Sequence, residues 1–151
     1  MNTKKLISDY LESARLMQVA TTKDNQSWTC TVYFAFDDEN NLYWISLPTT
    51  RHSKELRGNE KVSGTIVLPH GPGDNVRGMQ FQGVAKELTE GDEFQHALDV
   101  YAKRMGMKET RKENILNGTD GHTVYKIHPT LFVLFDTLNF PENPRQEIII
   151  K

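Results

Sequence analysis

Between Met17 and Leu47 the chain alternates β-branched and aromatic runs with short turn sequences, a punctuation that excludes most helical folds. The runs are MQVATT, SWTCTVYFAF and NLYWISL. Lys23-Asp24-Asn25-Gln26 and Asp37-Asp38-Glu39-Asn40-Asn41 separate them, and Asp and Asn tolerate left-handed backbone and bond their own turns. Such a series predicts an antiparallel meander. KVSGTIVL and MQFQGVAKEL extend it, with Pro69-His70-Gly71-Pro72-Gly73 as a loop and Gly83 as a bulge or a point of close approach. TVYKI and TLFVLFDTL, parted by His128-Pro129, are the last strands. The order predicts a mainly β (α+β) chain, a six- or seven-stranded antiparallel barrel with flanking helices.

The helices are fewer. Leu6, Ile7, Tyr10, Leu11, Ala14 and Met17 recur at helical spacing, so residues 3–17 are expected as an amphipathic helix capped by Thr3. Residues 53–59 suit one short helix, with Ser53 as cap and Gly58-Asn59 as stop. Phe94, Ala97, Leu98, Tyr101 and Met105 mark a third over 91–105, ended by Gly106. The polar stretch 107–121 suits a short helix or a loop. No repeat or linker interrupts the chain, so residues 1–151 are expected to form one domain.

Only 37% of the 151 residues are hydrophobic, against roughly 45–50% in a class that also counts Gly. Trp28, Trp44, seven Phe and five Tyr nevertheless supply core material. Lys and Arg total 18 against 20 Asp and Glu, a net charge of −2, which argues against a nucleic-acid partner. A single cysteine, Cys30, excludes an intramolecular disulfide and multi-cysteine metal sites. No run approaches the ~18–20 apolar residues of a membrane span. The N-terminal stretch lacks a signal-peptide core, so the expectation is a cytoplasmic protein without a membrane partner. Asn25-Gln26-Ser27 and Asn117-Gly118-Thr119 match the glycosylation pattern and are read as chance.

No nucleotide-loop, zincin or nucleophile-elbow motif is present. Histidines 52, 70, 96, 122 and 128 share no ligand spacing, so no metal is expected. Cys30 reads as a small buried hydrophobe. Lys103, Arg104, Lys108, Arg111 and Lys112 suit a solvated helix end or an acidic partner. The informative stretch is 42–66. There Ser46 ends a strand, Pro48-Thr49-Thr50 turns the chain, and Arg51, His52 and Lys54 lead into a helix. Hydroxyls, an Arg fork and free N–H groups at a helix start suit a phosphate monoester. A solvated basic turn capped by Ser53 is the other reading.

These residues, in this order, resemble the pyridoxamine 5′-phosphate oxidase-like, FMN-binding split-barrel superfamily. The likeness is nearest to its small bacterial members rather than to the oxidase itself. It covers about residues 5–136. Thr49-Thr50-Arg51-His52-Ser53-Lys54 and a short helix precede Asn59-Glu60-Lys61-Val62-Ser63, with Glu60 where the family commonly has Pro. Residues 77–88 keep Gly83 and Ala85 of the next strand, and 124–136 resemble the closing strand pair. The resemblance implies a split β-barrel homodimer with two FMN sites at the subunit interface and a small-molecule substrate.

By position, it implies that Thr50, Arg51 and His52 hold the FMN phosphate, with Ile45 and Ser46 flanking phosphate and ribityl chain. Thr31, Val32, Tyr33 and Phe34 would lie along the isoalloxazine, offering backbone groups to its edge; Tyr33 would stack on the ring or pack in the barrel. Gly78 stands where the oxidase has a cofactor-contacting Gln, with Gln80 nearby. Cys30 and Ala35 replace an Arg and a Lys of the oxidase, and His52 replaces a Lys. Its C-terminal Trp and Arg have no clear counterpart, so pyridoxamine phosphate oxidation is not expected. The implied function is a flavin-dependent oxidoreductase. The alternative is a non-catalytic dimeric binding or stress module with weak or no flavin affinity. Deazaflavin and haem are the other cofactors that the family uses.

Overall fold

A computed structural model of the chain describes residues 2–150. The elements run α1 (Thr3–Ser13), β1 (Leu16–Lys23), β2 (Gln26–Tyr33), β3 (Ala35–Phe36), β4 (Leu42–Ser46) and α2 (Arg51–Gly58). Then follow β5 (Lys61–Val67), β6 (Arg77–Leu88), α3 (Gly91–Met105), α4 (Glu109–Leu116), β7 (Thr123–Asp136) and β8 (Arg145–Ile149). All pairings are antiparallel, in the order β2-β1-β5-β6-β7-β4-β3, with β8 also on β7. β2 and β3 are nearly continuous in sequence. One pairs β1 and the other pairs β4, so the sheet curls round until its two ends meet. It is a split barrel.

Local chemistry explains each join. Asp24 and Asn25 have positive φ, which fits the two-residue turn that sets Lys23 opposite Gln26. The two expected C-terminal strands form one continuous β7. Its pairing with β6 passes from Gln82↔Leu131 to Gly83↔Pro129, leaving Thr130 as the extra residue of a bulge. Gly83 is required there, because a Cβ would stand 2.5 Å from the carbonyl oxygen of His128. Among the described residues the count rises to eight strands because Phe34 divides the second run and because Arg145–Ile149 adds a strand to β7.

Alternate side chains fill the barrel. Met17, Val19, Leu42, Trp44, Ile66, Met79, Phe81, Tyr125 and Phe132 form the main core, and Ile7, Tyr10 and Leu11 of α1 join it. Fully burying one such side chain contributes about 1.5–3 kcal/mol. Gly64 makes room for the Phe81 ring. A second core lies outside the sheet, where Phe94, Ala97 and Leu98 of α3 cover Tyr43, Leu88 and Val124.

The helix ends differ from expectation. Asn2, not Thr3, caps α1 by accepting from the Lys5 N–H, and the helix stops at Ser13 so that Met17 can enter β1. Arg104 is the reason it can stop there. Its Nη2 donates to the carbonyls of Leu11 and Ala14 at 2.8 and 2.7 Å. The cluster expected as a solvated helix end is therefore partly structural, with Lys112 paired to Asp99 and Arg111 to Asp120. The open stretch after Gly106 contains α4. Among the described residues, no helix is long and apolar enough to cross a membrane.

Candidate functional site

The end of β4 and the start of α2 form a corner of hydroxyls around one imidazole. Ser46 Oγ and Thr50 Oγ1 stand 2.8 and 3.1 Å from His52 Nε2. Thr50 is the N-cap of α2, accepting from the Ser53 N–H, so the cap falls three residues before the expected Ser53. Ser53 is buried instead, bonding Thr50 Oγ1 at 2.6 Å and donating to the Leu47 carbonyl at 3.0 Å. Burial lowers the His52 pKa, only partly offset by Glu55. The imidazole is therefore neutral at neutral pH, and contributes a hydrogen-bonding nitrogen rather than a charge.

Arg51 supplies the charge. Its Nε donates to Glu55 Oε1 at 3.0 Å, and its guanidinium lies 4.0 Å from the centre of the Trp28 ring. Glu55 is itself buried and fixed, accepting from Thr21 Oγ1 at 2.6 Å. The Thr21 hydrogen bond, together with Arg51, holds the Glu55 carboxyl below its ordinary pKa despite burial. Stack and ion pair orient the fork, while its terminal nitrogens have no hydrogen-bond partner among the described residues. A fork held this way suits bidentate binding of an oxyanion.

Beside this corner the barrel is split. The Phe34 N–H donates to the Arg15 carbonyl, and bonded residues alternate in an antiparallel pair. Val32 thus turns its backbone groups to β1, while Thr31 and Tyr33 turn theirs to the open edge. β2 and β4 approach across that edge without pairing. The side chains alternate as well: Thr31 and Tyr33 are exposed, Val32 packs against the core, and Phe34 is fully buried. Ser46 faces the corner, whereas the Ile45 side chain packs against the second core.

Gly78 lies elsewhere. β1 and β5 separate its strand from β2, about 14 Å at the usual strand spacing. Within one chain it does not join Thr50, Arg51 and His52. Gly78 and Gln80 are two residues apart on β6 and share the outer face. Register carries this face across the sheet: Tyr33 opposite Leu16, Val67 opposite Gly78, Gly78 opposite Phe135. The next rows hold Thr31, Gln18, Thr65, Gln80 and Val133, then Thr29, Ala20, Ser63, Gln82 and Leu131. No charged side chain stands in these rows on β1, β2, β5, β6 or β7; on β8 the rows end at Arg145, Glu147 and Ile149, with Arg145 and Glu147 paired to each other. Tyr33 is 58%, Val67 53% and Phe135 43% exposed.

The departures from the oxidase pattern are structural facts too. Cys30 packs against the core, its thiol pushed up by burial, and Ala35 is fully buried, so neither position offers a cation. The C-terminal tail becomes β8, where Arg145 pairs Glu147 on the same strand. Trp28, expected in the core, is 41% exposed and carries Arg51. Thr21 and Glu55 were not expected at the site. The i,i+4 spacing of Arg51 and Glu55 was the available signal for the second, whereas only the fold brings Thr21 to it. Among the described residues, no group of His, Cys, Asp and Glu could hold a metal ion.

Comparison with known proteins agrees with this architecture. A UPF0306 protein of Pasteurella multocida is 35% identical over 85 residues, 56% of this chain and 57% of that protein. The match thus spans little more than half of that relative's length. A haem-binding protein from Mycobacterium smegmatis superposes with a TM-score of 0.77 at 16% identity, covering 99% of this chain and 58% of that one. An FAD-binding protein from Mesorhizobium loti superposes with a TM-score of 0.66 at 21% identity, covering 83% of this chain and 88% of that one. The family model described as pyridoxamine 5′-phosphate oxidase matches residues 3–133. With that match running from α1 into β7, the chain belongs to the pyridoxamine 5′-phosphate oxidase family, as a member distinct from the oxidase itself.

Proposed function

We propose that this chain binds a flavin at the split between β2 and β4 and works as a flavin-dependent oxidoreductase on a small molecule. One observation carries the reading: Arg51 is held by Trp28 and Glu55 with its terminal nitrogens unpartnered among the described residues, and it stands in the chain between Thr50 and His52, which form the hydroxyl corner with Ser46. That set fits a phosphate. Arg51 would supply the charge, Thr50 and Ser46 the hydroxyls, and His52 a neutral donor or acceptor. The open backbone groups of Thr31 and Tyr33 suit the polar edge of a flat ring system. A bound flavin supplies hydride or electron transfer, and the protein's part is to orient it and exclude water. The FAD-binding neighbour has this fold, and the hydroxyl-lined corner favours a flavin phosphate over haem.

We further propose that the protein is a homodimer joined through this outer face of the sheet. A face that meets its own copy across a two-fold axis must be compatible with itself. Rows of Thr, Ser, Gln and apolar side chains, edged on β8 by the mutually paired Arg145 and Glu147, meet that condition. The same pairing would let Gly78 and Gln80 of one subunit complete the corner of the other.

The test is an FMN titration of wild type and Arg51→Ala by visible absorbance. The expected loss in the variant is about 1.5–3 kcal/mol, the range for a charged hydrogen bond. An unchanged affinity would mean that the phosphate lies elsewhere. A colourless protein without FMN affinity would favour a non-catalytic dimeric module, the reading to which the missing cations at Cys30 and Ala35 lend weight.

A further inference from the structure

We propose that the cavity beside Arg51 seats a second phosphate, so that the flavin this chain takes is a diphosphate, FAD rather than FMN; this rests on the flavin reading above. The cavity measures about 590 Å³ and lies between the β1–β2 turn and the first turns of α2. Lys23, Gln26, Thr49, Arg51 and Lys54 line it, together with two carboxylates, Asp24 and Glu55. The carboxylates do not cancel the cations. Glu55 already accepts from Thr21 and Arg51, which leaves Asp24 alone against two ammonium groups.

Lys23 and Lys54 make no ion pair among the described residues. Lys23 stands near enough to Glu55 to help hold its carboxyl ionised. A monophosphate needs only Arg51, Thr50 and Ser46, and leaves both lysines without a function. In a flavin dinucleotide the second phosphate joins the first through one bridging oxygen. Its charge must therefore fall within a side chain's reach of Arg51. Arg51 lines the cavity and directly follows Thr50, the N-cap in the hydroxyl corner, so the cavity adjoins that corner through consecutive residues of the chain. The lysines come from a hairpin tip and a helix, and both are exposed.

The experiment is calorimetric titration of the full chain with FMN and with FAD at one ionic strength, for wild type and the Lys23→Ala/Lys54→Ala double variant. Neither lysine is buried, so the variant retains the fold, which circular dichroism verifies. Wild type is expected to bind FAD about tenfold tighter than FMN, the scale of one charge-assisted hydrogen bond. The double variant should lose that preference with its FMN affinity unchanged. Equal or tighter FMN binding by wild type overturns the diphosphate seat while leaving the flavin reading intact. A preference for FAD that survives in the double variant overturns the assignment to these lysines. No heat with either flavin overturns both readings.

Discussion

The outer surface of this one sheet is treated in two ways. Over β4 and the first half of β7, α3 covers Tyr43 and Val124 with Phe94, Ala97 and Leu98, and these residues are buried. On the outer face of β1, β2, β5 and the first half of β6, the strands present Tyr33, Leu16 and Val67 beside rows of Thr, Ser and Gln. The covered half has the composition of a core. The open half has neither core composition nor the charges of ordinary surface. In a chain with 25% charged residues, these rows carry charge only at their β8 edge, where Arg145 and Glu147 pair with each other, and this is the face proposed above to meet a second copy. The half covered within the chain and the half left open thus differ in composition on one sheet.

Changes on the two halves should behave differently. The largest effect belongs to the covered half. Phe94→Ala removes the ring that α3 sets on the sheet, and should cost about 3–5 kcal/mol in chemical denaturation, with the oligomeric state retained. A smaller loss would mean that α3 is loosely packed. Val67→Asp on the open half should leave the monomer fold intact and convert the proposed dimer to monomer in size-exclusion chromatography with light scattering. A Val67→Asp protein that remains dimeric would move the interface to another surface.

A buried corner shared by α1 and β7 gives a third, smaller effect. Asp136 is fully buried and accepts from Tyr10 Oη at 2.7 Å and from Asn139 Nδ2 at 2.6 Å. Burial alone would raise its pKa, but hydrogen bonds from Asn139, Leu138 and Tyr10 outweigh it and hold the carboxyl below its ordinary value. A carboxyl more acidic folded than unfolded stabilises fully above its unfolded pKa. That stability is lost as pH falls through the folded value. Tyr10→Phe should cost about 1–3 kcal/mol near neutral pH and shift acid unfolding to higher pH, without altering flavin affinity. Acid unfolding at an unchanged pH would show that the Tyr10 bond does not set the Asp136 pKa.

The smallest effect is expected at His52. With its pKa lowered by burial, the imidazole is already neutral at pH 7, so His52→Gln should keep FMN affinity within about threefold, well under the effect of losing a charged hydrogen bond. A loss as large as that of Arg51→Ala would mean that His52 binds as a cation.

Much of this was legible in the sequence where local chemistry decides the outcome. Asp24-Asn25 specified its hairpin, Gly83 its close approach, and Gly106 its left-handed helix stop. The stretch from Ser46 to His52 advertised a polar corner because its residues are close in the chain. What was not legible came from distant partners. Arg104 ends α1 from 90 residues away by reaching the Ala14 carbonyl. Thr21 reaches Glu55 only because β1 packs under α2. Trp28 looks like a core residue by composition, and its place at the barrel rim depends on the curl that brings Arg51 over it. The strand from Arg145 to Ile149 follows a Pro-rich segment and pairs with β7, which no local pattern announces.

Sedimentation velocity followed at the flavin's visible absorbance bears most directly on the central claim, that two copies of this chain hold flavin where their outer sheet faces meet. The expected boundary is a single dimer carrying one flavin per chain. Flavin left behind as a free, slow boundary, or flavin moving with a monomer, would contradict it.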